Sequence, residues 1–220
     1  MKILIVGGSG LIGGDAAMHL ESLGHAVAIG GRHPVPVGSP LARFPFVQGD
    51  YIAGTFPREQ LEGFDCLVFA SGQDPRHVPK EEDAAAFWQR ANVEAIPRFF
   101  DLARASGIGV AINIGSFYPW VAPHLVEKIP YVKARLDADT ALGALSSAAF
   151  RVVTLNPPYM LGAAAPAQGV RSFERMVRYV AGGFPDIPVF APPGGVNFLS
   201  TRSLSQAIAG AIRRGEGGRA

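Results

Sequence analysis

Residues 3–14 read ILIVGGSGLIGG, a short β-branched run that falls straight into glycines at positions 7, 10 and 13. Ile3 to Val6 has the composition of a strand covered on both faces, as in the interior of a parallel sheet. After Gly13 the pattern changes to Ala17, Leu20 and Leu23 at helical spacing, and Gly24 stands where a helix takes a left-handed C-cap. Strand, glycine turn and helix in that order leave few architectures open. Gly7 permits a tight turn out of the strand, Gly10 removes a side chain where backbone would approach a ligand, and Gly13 lets the helix pack closely. The unpaired N–H groups and positive end of that helix suit a pyrophosphate. Ser9, Leu11 and Ile12, which fill the turn and the helix entry, join the three glycines as candidate cofactor contacts.

The rest of the composition narrows the class. With 48% apolar and 17% charged residues over 220 positions, the chain is long and apolar enough to bury a full core. A net charge of +2 with scattered basic residues argues against a nucleic-acid partner. The single cysteine, Cys66, lies in an apolar run and reads as a buried strand residue. One thiol builds neither an internal disulfide nor a multi-cysteine metal site, which suits a reducing compartment. A core strand starting at residue 3, and no apolar run reaching about 18 residues, lead to the expectation of a cytoplasmic protein with no leader, no metal and no membrane partner.

Strand-like runs recur at 3–6, 26–29, 46–47, 66–70, 110–114 and 151–155, with helical stretches at 83–106 and 131–145. Such alternation is the pattern of an α/β fold with a doubly wound parallel sheet. In the longer helix Phe87, Ala91, Ile96, Phe99, Phe100 and Leu102 form an apolar stripe, and Pro97 is expected to kink or break it. The proline-rich loops 72–80, 117–130 and 157–169 follow strand C-termini, the edge where open α/β sheets bind ligands. Residues 184–195 read as part of a small substrate-side lobe. Ser203 and Gln206 have capping-box spacing, so a last helix is expected from Ser203 to Arg214, with 215–220 a turn.

The second strand ends Gly30-Gly31-Arg32-His33 and carries no acid where a 2′-hydroxyl of NAD would be read. A guanidinium there suits a 2′-phosphate instead, so Arg32 and His33 point to NADP over NAD. Asp50, followed by Tyr51 after the third strand, is placed to meet an adenine amino group. The fifth strand ends at Ser116, and a helix opens at Tyr131 with Arg135 four residues on, on the same face. Lys133 points to the opposite side. A tyrosine donates its proton at neutral pH only beside a cation that stabilises its phenolate, which Arg135 would supply, with Ser116 donating to a carbonyl oxygen. Spacing alone also fits a helix with a tyrosine near its start and a serine ending a strand. Trp88, Phe117, Tyr118, Trp120 and Tyr159 offer pocket aromatics or packing, and Arg76, His77 and Arg171 face either an anion or water.

Taken in order, GGSGLIGG, Gly49-Asp50, Ala70-Ser71-Gly72, Asn92-Val93, Gly115-Ser116, Tyr131 with its cation, Asn156-Pro-Pro-Tyr-Met-Leu-Gly162 and Asn197-Phe198 resemble the extended short-chain dehydrogenase/reductases. The likeness is greatest to the nucleoside-diphosphate-sugar epimerase and dihydroflavonol-reductase-like branch. It implies a Rossmann-type NAD(P) domain over 1–160 and a small, incomplete substrate lobe with a returning helix over 161–220. It also implies Tyr131 as general acid/base, Ser116 polarising the reacting oxygen and hydride transfer at the nicotinamide. Ala70, Ser71, Pro157 and Pro158 would lie along the cofactor, with Tyr159 and Asn197 facing a small-molecule substrate. A homodimer through the tyrosine helix and the preceding long helix belongs to the same expectation. Three departures stand out: Arg135 replaces the family's lysine, Ser203 replaces its usual aspartate while still able to cap a helix, and the chain stops where a further strand and the rest of the lobe are expected. An NADP-dependent reductase or epimerase-like enzyme and a catalytically silent NADP(H)-binding sensor both fit this pattern.

Overall fold

Ile3, Leu4, Ile5 and Val6 are all buried, because the strand they form has a hydrogen-bonded neighbour on each side and helices over both faces. The computed structural model describes residues 1–162, 171–190, 195, 197–214 and 218–219. Six parallel strands, β1 (Lys2–Val6), β2 (Ala26–Gly31), β3 (Phe46–Gln48), β4 (Cys66–Phe69), β5 (Val110–Ile114) and β6 (Arg151–Leu155), lie in the order β3-β2-β1-β4-β5-β6. Alternate residues feed two cores. Ile3, Ile5, Val68, Ile112 and Val153 meet Ala16, Leu20, Leu204 and Ile208 on one face. Leu4, Val6, Leu67, Phe69 and Ala111 meet Ile96, Phe99, Phe100 and Leu142 on the other.

The helices follow their sequence signals closely. α1 (Leu11–Ser22) ends where Gly24 takes φ +84, with Gly24 N donating to Glu21 O (2.9 Å) and His25 N to Leu20 O (3.2 Å), the paired bonds of a Schellman cap. α2 (Arg58–Leu61) is one turn long. The long central helix is divided: α3 (Ala84–Trp88) passes through a π-helical stretch, Gln89–Glu94, into α4 (Ala95–Ala105). The break expected at Pro97 therefore falls upstream of it. Pro97 has no N–H for the carbonyl four residues back, and the wider turn just before it absorbs the loss. α5 (Tyr118–Val121) is short, and α6 (Pro130–Leu145) spans the second expected helix.

The C-terminal part departs further from expectation. β7 (Tyr159–Leu161) runs parallel to β8 (Phe198–Ser200) in a separate two-stranded sheet, with α7 (Arg171–Val180) between them in sequence. Of these, Tyr159–Leu161 falls within an expected proline-rich loop and Phe198–Ser200 just ahead of the expected last helix, while Arg171–Val180 carried no expectation. α8 (Thr201–Arg214) begins two residues before Ser203, since β8 runs directly into it. The capping role expected of Ser203 falls to Ser200, whose Oγ accepts from Ser203 N at 3.0 Å. Within the expected terminal turn, β9 (Gly218–Arg219) lines up parallel to β6, extending the main sheet to seven strands. Residues 163–170, 191–194, 196, 215–217 and 220 lie outside the described residues, as does the Arg171 side chain, so the far end of the 157–169 loop has no description.

One polar contact fastens α8 to the helix of the glycine turn. Asp15 accepts from Thr201 Oγ1 at 3.0 Å and from Ser205 Oγ at 2.5 Å, and both hydroxyl residues are buried. Asp15→Ala strands these donors and is expected to cost about 2–3 kcal/mol in urea unfolding, with faster amide exchange in α8. A change below about 0.5 kcal/mol would mean that apolar packing alone holds the two helices together.

Candidate cofactor and active site

The strand order reverses between β1 and β4, and the glycine turn sits at that point on the C-terminal edge. Gly7 leaves β1 at φ +83 with its N–H on Gly30 O at 2.9 Å. A Cβ on Gly7 would stand 2.6 Å from the Ala70 carbonyl oxygen, so turn and strand end meet only because no side chain intervenes. Gly13, one turn into α1, is buried against the Gly7–Gly8 backbone, where a Cβ would come within 2.8 Å of Gly8 Cα. Gly10 precedes the first residue of α1, and Leu11 and Ile12 form its half-buried entry. No acid occupies that first turn to oppose an arriving anion.

A groove runs from this turn across β2 and β3, lined by Gly7, Ser9, Arg32, His33, Asp50, Tyr51 and Ser71 together with Phe56 and Gln73. Gly7, Ser9, Arg32, His33, Asp50, Tyr51 and Ser71 are thus brought together, whereas Gly10, Leu11, Ile12, Gly13 and Ala70, also expected along a cofactor, do not line the groove. Arg32 and His33 are exposed at the rim, where Gln48 Nε2 donates to the Arg32 carbonyl at 3.3 Å. Asp50 Oδ1 accepts from Ile52 N at 2.8 Å and holds the turn that follows. Tyr51 is buried edge-on to Phe69, with ring centroids 4.9 Å apart, and its hydroxyl accepts from Gln73 Nε2 at 3.1 Å. Burial pushes the Tyr51 phenol up to about 12, against the opposing effect of the Gln73 hydrogen bond. Burial likewise raises the Cys66 thiol to about 12, so this strand residue is an inert one.

Gln73 was not singled out by sequence, although it lies in a loop that was. It donates to the Ser71 carbonyl at 2.9 Å and exchanges two backbone bonds, each 3.0 Å, with the fully buried amide of Asn92 in the π-helical stretch. Nothing in its residue type signals that role, which depends on the wide turn bringing Asn92 to face the loop.

The second half of the site lies at the ends of β5 and β6. Ser116 is buried; its N–H donates to Asn156 Oδ1 at 2.9 Å and its Oγ accepts from Tyr118 N at 3.4 Å. Asn156 thereby ties the β5 end to the half-buried Pro157 and Pro158. Tyr131, in the first turn of α6, stands edge-on to Trp88 with centroids 5.4 Å apart. Trp88 is itself buried, so of the aromatic candidates it serves packing. Arg135 lies on the buried face of α6, Nη2 donating to Ile114 O at 2.7 Å and Nη1 packed against Gly72, while its Nε has no hydrogen-bond partner among the described residues. Lys133 pairs with Asp137 on the outer face, as its position predicted. Tyr159 and Asn197 are exposed neighbours across the small sheet, Tyr159 N donating to Asn197 O at 3.1 Å. Among the described residues no cluster of ligating side chains suits a metal ion, and no helix is long and apolar enough to cross a membrane.

Strand order and glycine turn together define a Rossmann-type α/β fold. The profile of the NAD dependent epimerase/dehydratase family matches residues 3–191, and the chain belongs to that family. Its fold is similar to that of gox2253 (18% identity, TM-score 0.79, 99% of this chain and 68% of the other). It is also similar to UDP-glucose-4-epimerase from Stenotrophomonas maltophila with bound NAD and formylated UDP-arabinopyranose (17%, TM-score 0.74, 100% and 76%). A third likeness is to MoeE5 in complex with UDP-glucuronic acid and NAD (18%, TM-score 0.73, 100% and 74%). No curated protein matches the sequence.

The raised Tyr51 phenol carries a sign for stability. The folded chain keeps that proton to about pH 12, whereas an unfolded tyrosine releases it near ~10. The stabilisation is complete below pH ~10 and is lost as pH rises toward the folded value. Tyr51→Phe is expected to remove about 2–3 kcal/mol of the alkaline decline in urea-unfolding free energy between roughly pH 10 and 12. An unchanged decline would show the phenol to be open to solvent.

Proposed function

We propose that the protein is an NADP-dependent oxidoreductase or epimerase-like enzyme acting at a carbonyl/alcohol carbon of a small molecule or nucleotide sugar. The observation that carries this reading is the meeting of two sets of groups on one sheet edge. The glycine turn and groove lie at the ends of β1 to β4, and Ser116, Tyr131 and Arg135 lie at the ends of β5 and α6 beside them. The residues fit the cofactor, since the N-terminus of α1 at Gly10 has no side-chain cap and no acid in its first turn, beside a groove lined by Gly7 and Ser9. When bound, the cofactor supplies the hydride donor or acceptor. The protein's own groups orient the substrate oxygen through Ser116 and exchange its proton through the Tyr131 hydroxyl.

The phosphorylated cofactor is favoured by Arg32, exposed at the groove rim with no acid in the end of β2. The three relatives named above include two with NAD by name, so this preference belongs to the present chain's residues. A second reading, an NADP(H)-binding sensor without turnover, is favoured by the commitment of Arg135 Nη2 to the Ile114 carbonyl.

Side-by-side calorimetric titration decides the cofactor. NADPH is expected to bind more tightly than NADH, and Arg32→Ser to weaken NADPH roughly tenfold to a hundredfold while leaving NADH unchanged. Equal affinities in the parent protein would remove Arg32 from the site. For chemistry, Tyr131→Phe is expected to lower turnover of an accepted carbonyl substrate about 10²–10⁴-fold without altering NADPH affinity. NADPH binding that persists with no turnover across aldehydes, ketones and nucleotide sugars would favour the sensor.

A further inference from the structure

The groove at the strand ends is bordered by a run of hydrogen bonds whose direction is fixed from one end to the other. It starts at Asn92, buried in the π-helical stretch, whose Oδ1 accepts from Gln73 N and whose Nδ2 donates to Gln73 O, each at 3.0 Å. That clasp sets the Gln73 backbone. The Gln73 side chain turns back, Nε2 donating to the Ser71 carbonyl at 2.9 Å and to the Tyr51 hydroxyl at 3.1 Å. Reversing the amide would set its oxygen against the Ser71 carbonyl oxygen, two acceptors face to face, so Ser71 decides which end is which.

That direction leaves Tyr51 one role. Both amide hydrogens of Gln73 are spent, one on each oxygen, so the phenol oxygen accepts from the amide and cannot donate to it. A hydroxyl that accepts still carries one proton to give, and among the described residues no hydrogen bond takes it. The ring has little freedom to carry that proton elsewhere, since Tyr51 is 4% exposed and stands edge-on to Phe69. Tyr51, Gln73 and Ser71 all line the groove, which is therefore the open side on which the proton finds a partner. Burial raises the phenol to about 12, so the group stays a donor at neutral pH. A neutral hydroxyl suits an uncharged lone pair, while the phosphates have the end of α1 and Arg32.

We infer that the Tyr51 hydroxyl donates to one uncharged acceptor on the adenosine half of the cofactor, a ring nitrogen of the base or the 3′-oxygen of its ribose, and so helps select that half. The inference rests on the reading of the groove as a cofactor site. Base nitrogen and ribose oxygen offer the same lone-pair chemistry, so the probes must separate them.

Calorimetric titration of the parent and Tyr51→Phe with NADPH, adenosine 2′,5′-bisphosphate and reduced nicotinamide mononucleotide tests the contact without turnover. Tyr51→Phe keeps the ring against Phe69 and removes only the oxygen. It is expected to weaken NADPH and the bisphosphate alike, roughly three- to tenfold, and to leave the mononucleotide unchanged. The acceptor is then found with bisphosphates that lack one lone pair each, carrying the 1-deaza, 3-deaza or 7-deaza base or the 3′-deoxy ribose. One of them should bind the parent as weakly as Tyr51→Phe binds the unmodified bisphosphate, and Tyr51→Phe should lose nothing further with it. Disturbed packing would weaken all four analogues equally and give no such match. In the parent protein the phenol carbon resonance of Tyr51, read with carbon-labelled tyrosine, should move with the bisphosphate and stay in place with that analogue. Equal affinity of the parent and Tyr51→Phe for the bisphosphate, a weakening that no single analogue reproduces, or a resonance that the bisphosphate leaves in place would each overturn the inference while the cofactor reading stands. A parent protein that binds neither NADPH nor the bisphosphate overturns both.

Discussion

The contact on which the site depends is the approach of the Gly7 turn to the end of β4. Parallel strands whose order reverses between β1 and β4 send their following loops to opposite faces, and a gap opens at the strand ends between them. The gap stays narrow because Gly7 adopts φ +83 directly beneath the Ala70 carbonyl and Gly13 brings α1 down onto the turn. A side chain at either place would push helix from strand and move the positive helix end away from the groove. Asp15, in the next turn of α1, then receives Thr201 and Ser205, so α8 bears on the same helix that forms the cradle.

From that contact outward, the loop after β4 acts as the joint between the two halves of the site. Its Ser71 and Gln73 line the groove, its Gly72 admits the Arg135 guanidinium, and its Val78 packs on the cluster that holds Tyr131. A loop of this composition would be mobile if left to itself. Here Asn92 clasps its backbone in both directions, and Asp74 closes its far end with a capping box. Since the clasp needs Asn92 to point sideways out of the helix, the π-helical stretch upstream of Pro97 is part of how the loop is held.

The main sheet was legible because burial on both faces demands unbroken apolar runs, and those runs bound β1, β5 and β6 to within a residue. Gly24 and the glycine turn were legible for a related reason: each occupies a backbone position that other residues resist. The small sheet of β7 and β8 gave no such signal, since its residues are exposed or half-buried and its pairing is remote in sequence. Ser203 misled for the converse reason. Capping-box spacing describes a local preference, and the strand running into α8 moved the cap to Ser200. Gln73 and Asn156 were invisible as individuals, because their amides act on backbone that only the fold brings near.

Arg135 shows what sequence and structure contribute jointly. Spacing put a cation four residues after Tyr131, but it did not say where the charge would go. A lysine ammonium gathers three donors at one point, whereas the guanidinium divides its donors along a plane. Nη2 is spent on the Ile114 carbonyl at the end of β5, Nη1 lies along Gly72, and Nε is left buried without a partner among the described residues. The charge is therefore fixed to the sheet edge and does not swing on a flexible stem, and Gly72 is what makes room for it. A buried donor without a partner is costly. The Ile114 carbonyl and the space left by Gly72 must therefore hold the guanidinium firmly enough to offset that cost, so a guanidinium at this position depends on the glycine of the loop after β4.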